Sequence, residues 1–323
     1  MNHDDSLATI LLLSRIGDDE VRPLKASEFW RLCNLIGGPS LLLGVNEAKL
    51  VSEHGLAAEM AARVVALLDR ATGMAFELDR LGQAGISTFT PFDADYPGRL
   101  IERLGTSAPV LLYAAGAVEL LDRPGVGVVG SRNVSPDGAQ VAEAAAEVAA
   151  RLGLPLVSGG ARGVDQTAMS AACLAGGAVV GVLAESLARK LRSADIRRAI
   201  HDGRTMLCTP YSPEAPFSVG SAMGRNKLIY ALSARTLVVA ADVDTGGTWS
   251  GATEALRRGF GRVAVWRGPG EGPGNARLEE RGAFPVASLD ELEAAVLESA
   301  TSTDVAMARA EHVSPTPQPT LFD

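Results

Sequence analysis

A parallel sheet with helices packed on both faces, preceded by a small all-helical region, is the α/β architecture this sequence predicts. Three observations carry that expectation. From residue 125 onward, short apolar runs of strand length alternate with loops and helical stretches. The 323 residues are rich in Ala, Gly, Val and Leu but only 5% aromatic, which suits an α/β fold better than a β-sandwich. Before residue 76, apolar residues such as Leu56, Met60, Val64, Leu67 and Leu68 recur at helical spacing.

Taken in order, residues 1–75 form an N-terminal helical domain. Within it, Ile36-Gly37-Gly38-Pro39 reads either as a helix-hairpin-helix turn against a DNA backbone or as a plain Gly-Pro helix break. Residues 76–118 are a connector, with a helix from Phe76 to Gln83 and a short strand from Ile86 to Phe89. The core occupies 119–290. Its strands are expected at Val126–Val129, Leu154–Val157, Ala178–Leu183, Thr205–Cys208, Thr236–Ala240 and Arg262–Trp266. Ser135-Pro136 opens a helix, with Ser as N-cap and Pro at the first helical position. Residues 291–323 hold the end of an acidic helix (Ser288–Ser299) and a Ser/Thr/Pro-rich tail expected to be disordered.

The net charge of −8 excludes a protein that is basic throughout, so nucleic-acid binding requires a local concentration of cations. Residues 185–227 supply one, with eight Lys and Arg against four Asp and Glu. Cys33, Cys173 and Cys208 show neither disulfide-framework nor zinc spacing. Asp4 and Asp5 precede Leu7–Leu13 where a signal peptide needs cations, and the apolar stretch Ala171–Ala184 is too short for a bilayer. A cytoplasmic protein without membrane contact is expected.

Ligands of such sheets collect at the carboxyl ends of the strands. Four segments fall there. Gly130-Ser131-Arg132 leads from a strand towards a helix N-terminus, where free N–H groups and a guanidinium favour an anion. In Ser158-Gly159-Gly160-Ala161-Arg162-Gly163-Val164-Asp165, the glycines allow close backbone approach to a phosphate; Asp165 either caps the next helix or contacts the ligand. Gly224-Arg225-Asn226-Lys227 places two cations at the start of a helix from Leu228 to Ser233. Thr245-Gly246-Gly247-Thr248-Trp249-Ser250-Gly251-Ala252 resembles a phosphate loop, but Ala252 stands where ATP hydrolysis needs Lys. Gly125-Val126-Gly127-Val128-Val129-Gly130 matches the dinucleotide fingerprint only as text, because it lies within a strand. No catalytic constellation, metal site or resident cofactor is expected. The phosphate-binding set is therefore Gly130, Ser131, Arg132, Ser158, Gly159, Arg162, Gly163, Asp165, Arg225, Asn226, Lys227, Gly247, Thr248 and Ser250.

From about Leu78 to Phe284 these segments, with Tyr96-Pro97, Pro109–Tyr113, Ile229 and Leu232-Ser233, resemble the DNA-processing proteins DprA/Smf in order and spacing. The resemblance implies an extended Rossmann-like fold that dimerises, binds and protects single-stranded DNA, and hands it to the recombinase RecA in transformation or recombination. It also implies phosphate contacts at Gly130, Ser131, Arg132, Gly159, Gly163, Arg225 and Lys227. The chain departs from the family in having Met169 for a usual His, Lys227 for a usual Arg, and an altered segment from Glu185 to Arg192. No winged-helix domain is expected in the residues after the core. Near the end, Gln318, Leu321 and Phe322 resemble the peptide by which bacterial repair proteins dock on the sliding clamp.

Two other readings use the same loops. One is a sensor of a small nucleotide. The other is a phosphoribohydrolase-like enzyme, with Glu254 after Gly246-Gly247-Thr248 as its acid.

Overall fold

The computed structural model describes residues 3–15 and 21–300. Five helices come first: α1 (His3–Leu13), α2 (Ala26–Ile36), α3 (Glu47–His54), α4 (Ala58–Leu68) and α5 (Ala71–Gln83). On α4, Ala61, Val64 and Leu67 share the buried face that their spacing predicts. Gly37 closes α2 in the left-handed conformation (φ 98°), with its N–H donated to the Cys33 carbonyl. A single 3-10 turn (Ser40–Leu42) follows, so the Gly-Gly-Pro turn ends a helix rather than joining two. Leu12, Phe29, Leu42, Leu50 and Leu67 form the core of this region. Adjacent Leu11 faces the other way, into the sheet, so α1 belongs to both cores.

The sheet begins with β1 (Ser87–Phe89), α6 (Gly98–Leu104), β2 (Leu112–Gly116), β3 (Gly125–Val129), α7 (Pro136–Arg151) and β4 (Leu156–Ser158). It continues with α8 (Val164–Leu174), β5 (Val179–Val182), α9 (Leu187–Lys190), α10 (Ala194–His201) and β6 (Thr205–Thr209). The last part is α11 (Val219–Leu232), β7 (Ser233–Val238), α12 (Gly246–Arg258), β8 (Arg262–Trp266), α13 (Asn275–Glu280), β9 (Phe284–Val286) and α14 (Leu289–Ser299). The nine strands lie in the order β1-β2-β6-β5-β4-β3-β7-β8-β9. Pairing is parallel from β6 across to β9, whereas β2 runs antiparallel to both β1 and β6.

Apolar runs such as Val126–Val129 arise because both faces are covered. Val126 and Val128 meet the alanine-rich surfaces of α7 and α8, together with Leu292 and Val296 of α14. Val129, Val157 and Val180 meet Leu228, Ile229 and Leu232 of α11, with Ala252 and Ala255 of α12. Ser135 caps α7 through the Gly138 N–H, with Pro136 as its first residue.

Most strand boundaries fall within one residue of expectation, and two strands begin further away. Leu154 precedes β4 because its N–H closes a turn onto the Ala149 carbonyl. The strand expected at Thr236–Ala240 already begins at Ser233, immediately after α11. β2 and β9 were not foreseen as strands. Among the described residues no helix is long and apolar enough to cross a membrane.

Candidate nucleic-acid interface

From β3 the chain steps outward through β4 and β5 to β6, then returns by α11 to β7 on the other side of β3. The helices that follow β3 and β7 therefore leave on opposite faces, and a crevice opens at the carboxyl ends of these two neighbours. It is a cleft of about 470 Å³. The Gly130-Ser131-Arg132 turn, Asp242, the first turn of α12, and Arg225 and Asn226 of α11 form its walls. A second groove of about 440 Å³ shares Arg132 and Arg225 with it and adds Gly159, Arg162, Glu185 and Phe217. A shallow depression of about 730 Å³ between α7 and α8 presents Glu143 and Glu147 and no cation, which disqualifies it for a polyanion.

Asp165, on the first turn of α8, builds the floor. One of its carboxylate oxygens accepts the Gly130 N–H at 3.3 Å, and the other accepts the Gly159 N–H at 3.2 Å. One buried carboxylate thus joins the loops after β3 and β4. The glycines are needed for this approach. A Cβ on Gly159 would lie 1.9 Å from the Arg225 guanidinium, and one on Gly163 (φ 86°) would lie 2.4 Å from the Ser131 carbonyl oxygen. The Val164 N–H donates to that same carbonyl at 3.2 Å. Thr248 then ties in α12 by donating its hydroxyl to the Gly130 carbonyl at 2.9 Å.

Arg225 is only 4% exposed. Its guanidinium donates to the Gly159 carbonyl at 2.8 Å and to the Asn226 side-chain oxygen at 3.0 Å. Burial pushes the Asp165 carboxyl up and the Arg225 guanidinium down, and each is the strongest influence opposing the other's shift. Arg132 and Arg162 are exposed. The Arg132 guanidinium stands 5.8 Å from the centre of the Phe217 ring, and Arg162 donates to the Asn133 side-chain oxygen at 2.9 Å. Phe217, Val219 and Met223 form an exposed apolar edge beside these cations.

Of the residues singled out from sequence, Gly130, Ser131, Arg132, Asp165, Arg225, Asn226, Gly247, Thr248 and Ser250 border the cleft, and Gly159 and Arg162 border the adjoining groove. Three do not join them. Ser158 is buried and donates to the Val128 carbonyl at 2.6 Å. Gly163 opens towards the α7–α8 depression. Lys227 reaches to the Ser107 carbonyl at 2.6 Å, away from the cleft. The reason is that α11 begins eight residues earlier than Lys227, at Val219, with Ser218 as its cap; Arg225 and Lys227 lie inside a helix, not at its start.

The basic segment is likewise engaged locally. Arg189 and Lys190 pair with Glu185 at 2.5 and 3.3 Å, and Arg198 pairs with Asp195 at 3.4 Å. Arg197 and Arg204 donate to backbone carbonyls. Met169 is fully buried beneath the Gly159–Gly163 loop, so an apolar side chain fills that position. Phe217 and Asp242 were missed. Phe217 sits in a Pro-rich stretch with no periodic signal, and Asp242 lies in a loop defined only by where β7 ends. Gln318, Leu321 and Phe322 lie outside the described residues.

Residues 87–296 match the family described as DNA recombination-mediator protein A. The DNA processing protein DprA of Bacillus subtilis is 28% identical over 217 residues, which cover 65% of this chain and 71% of that protein. DprA of Streptococcus pneumoniae is 33% identical over 161 residues, so the match spans only 56% of that relative. An X-ray structure of the pneumococcal protein is similar with a TM-score of 0.59 and 26% identity, covering 84% of this chain and 98% of that one. A structure of DNA processing protein A from Helicobacter pylori, which concerns that protein's single-stranded DNA binding mode, gives a TM-score of 0.54 and 25% identity over 67% of this chain and 97% of its own.

Proposed function

The chain belongs to the DNA recombination-mediator protein A family, and on that premise we propose that it holds single-stranded DNA by its phosphates along the cleft and groove at the ends of β3, β4 and β7. The observation that carries this reading is the convergence of Arg132, Arg162 and Arg225 with the glycine-rich turns at one rim. Guanidinium groups and free N–H donors suit repeated phosphates and carry no base code. The apolar edge of Phe217, Val219 and Met223 gives unstacked bases a surface to lie on. Salt-dependent binding with weak sequence preference follows.

The protein acts without turnover in this reading. Its cleft offers donors for holding an anion, and Glu254, the acid an enzymatic reading needs, pairs instead with Arg258 at 3.5 Å. The family's description as a recombination mediator supports delivery of the bound strand to RecA, in DNA uptake or in recombination. A cytoplasmic homodimer, with the tail at Gln318–Phe322 docking on the sliding clamp, completes the proposal.

The test is equilibrium binding of a labelled dT oligonucleotide to wild type, Arg132→Ala and Arg162→Ala. Each exposed guanidinium contributes one charged phosphate contact, so each variant should bind about tenfold more weakly. Unchanged binding in both variants overturns the assignment of this rim.

A further inference from the structure

Building on the strand-binding reading above, we propose that the cleft between the ends of β3 and β7 is a separate compartment for one nucleoside 5′-monophosphate unit, its phosphate seated on the first turn of α12. The adjoining groove then carries the remainder of a strand.

Three independent features converge there. First, Thr245 occupies the N-cap position of the 13-residue helix α12, yet its side chain makes no capping bond. The leading N–H groups of any helix have no acceptor within it and attract an anion. Gly246 and Gly247 are exposed and present no side chain that would keep a phosphate away. Second, Arg225 lines both compartments while being 96% buried, and its Nε has no hydrogen-bond partner. A guanidinium held at that boundary with an unmet donor points to an anionic ligand. Third, Asp242 is exposed on the cleft wall. A carboxylate there repels a second phosphate but accepts from a sugar hydroxyl or a base amino group. The volume of about 470 Å³ falls within the range for one small ligand.

The unit is either a free nucleotide or the phosphorylated 5′ end of a strand, since both present the same group. Two measurements separate these sources. The first is anisotropy with a short dT oligonucleotide, 3′-labelled and carrying either a 5′-phosphate or a 5′-hydroxyl. The second is calorimetric titration with dTMP. The variant is Thr245→Asp, because Asp is a good N-cap that preserves the helix while placing a carboxylate where the phosphate would sit.

Wild type should bind the 5′-phosphorylated strand about tenfold more tightly than the 5′-hydroxyl strand, an advantage reduced to under about twofold in Thr245→Asp. Saturable binding of dTMP, lost in the variant, assigns the compartment to free nucleotides as well; a 5′-phosphate advantage without dTMP binding assigns it to strand ends. Equal affinity for the two strands, together with no binding of dTMP, overturns the compartment and leaves strand binding standing. Binding of dTMP with no strand binding overturns the strand reading and keeps the compartment.

Discussion

Arg225 and Arg132 are both cations at the rim, but their environments give them different work. Arg225 is buried, offsets the charge of the buried Asp165 through space and holds the Gly159 carbonyl, so it is part of the scaffold as well as the site. Truncating it leaves a buried carboxylate without its compensating charge. Arg225→Ala should therefore lose about 3–5 kcal/mol of folding stability by urea denaturation. Arg132 has an exposed guanidinium above the Phe217 ring, so Arg132→Ala should change stability by no more than about 0.5–1 kcal/mol. Reduced DNA binding by Arg225→Ala would accordingly be ambiguous, whereas reduced binding by Arg132→Ala would report on the interface. Similar stabilities for the two variants would contradict this division.

At the scale of the element, α11 decides which side chains meet. Residues two apart on a helix diverge by about 200°, so Arg225 and Lys227 cannot face one cleft. Lys227 instead fastens α11 to the Ser107 carbonyl, Asn226 reaches the Gly247 carbonyl at 3.1 Å, and Arg103 donates to the last carbonyls of the helix. Lys227→Gln should bind DNA within about twofold of wild type while losing about 1 kcal/mol of stability, the worth of one part-buried hydrogen bond. A tenfold loss of binding with stability intact would return Lys227 to the interface. The sequence obscures this helix because Gly220 and Gly224 weaken its first turns. Ser218, at the N-cap, was the available signal. Strands that fill the middle of the sheet are legible because burial on both faces makes them continuously apolar, as at Val126–Val129. β2 and β9 are not, because they are defined by pairing with Thr209–Met206 and Ala264–Trp266 and not by a run of β-branched residues of their own. The glycine-rich turns were legible for a different local reason: a close backbone approach leaves no room for a side chain. Asp165 remained open between cap and ligand because its partners, Gly130 and Gly159, meet only once the sheet forms.

For the whole molecule, a net charge of −8 has to coexist with polyanion binding. It does so by local concentration: in the basic segment beside the site Arg189, Lys190 and Arg198 pair with Glu185 and Asp195 while Arg197 and Arg204 are held by backbone carbonyls, and Arg132, Arg162 and Arg225 face the rim compartments. Binding of single-stranded DNA should thus show a shallow salt dependence, with a log–log slope of about −2 from three phosphate contacts, shrinking by about 0.7 in Arg132→Ala. A slope near −5 would mean that another basic surface is engaged. The two walls of the cleft are neighbours in space, Val129 beside Val238, yet more than a hundred residues apart along the chain. Translation delivers the first wall long before the second. Until β7 and the turn beyond it leave the ribosome, one edge of β3 has no companion and a nascent chain has nothing with which to close on a polymer. The cleft is completed only near the end of synthesis, and a truncated product released before α12 would lack its second wall.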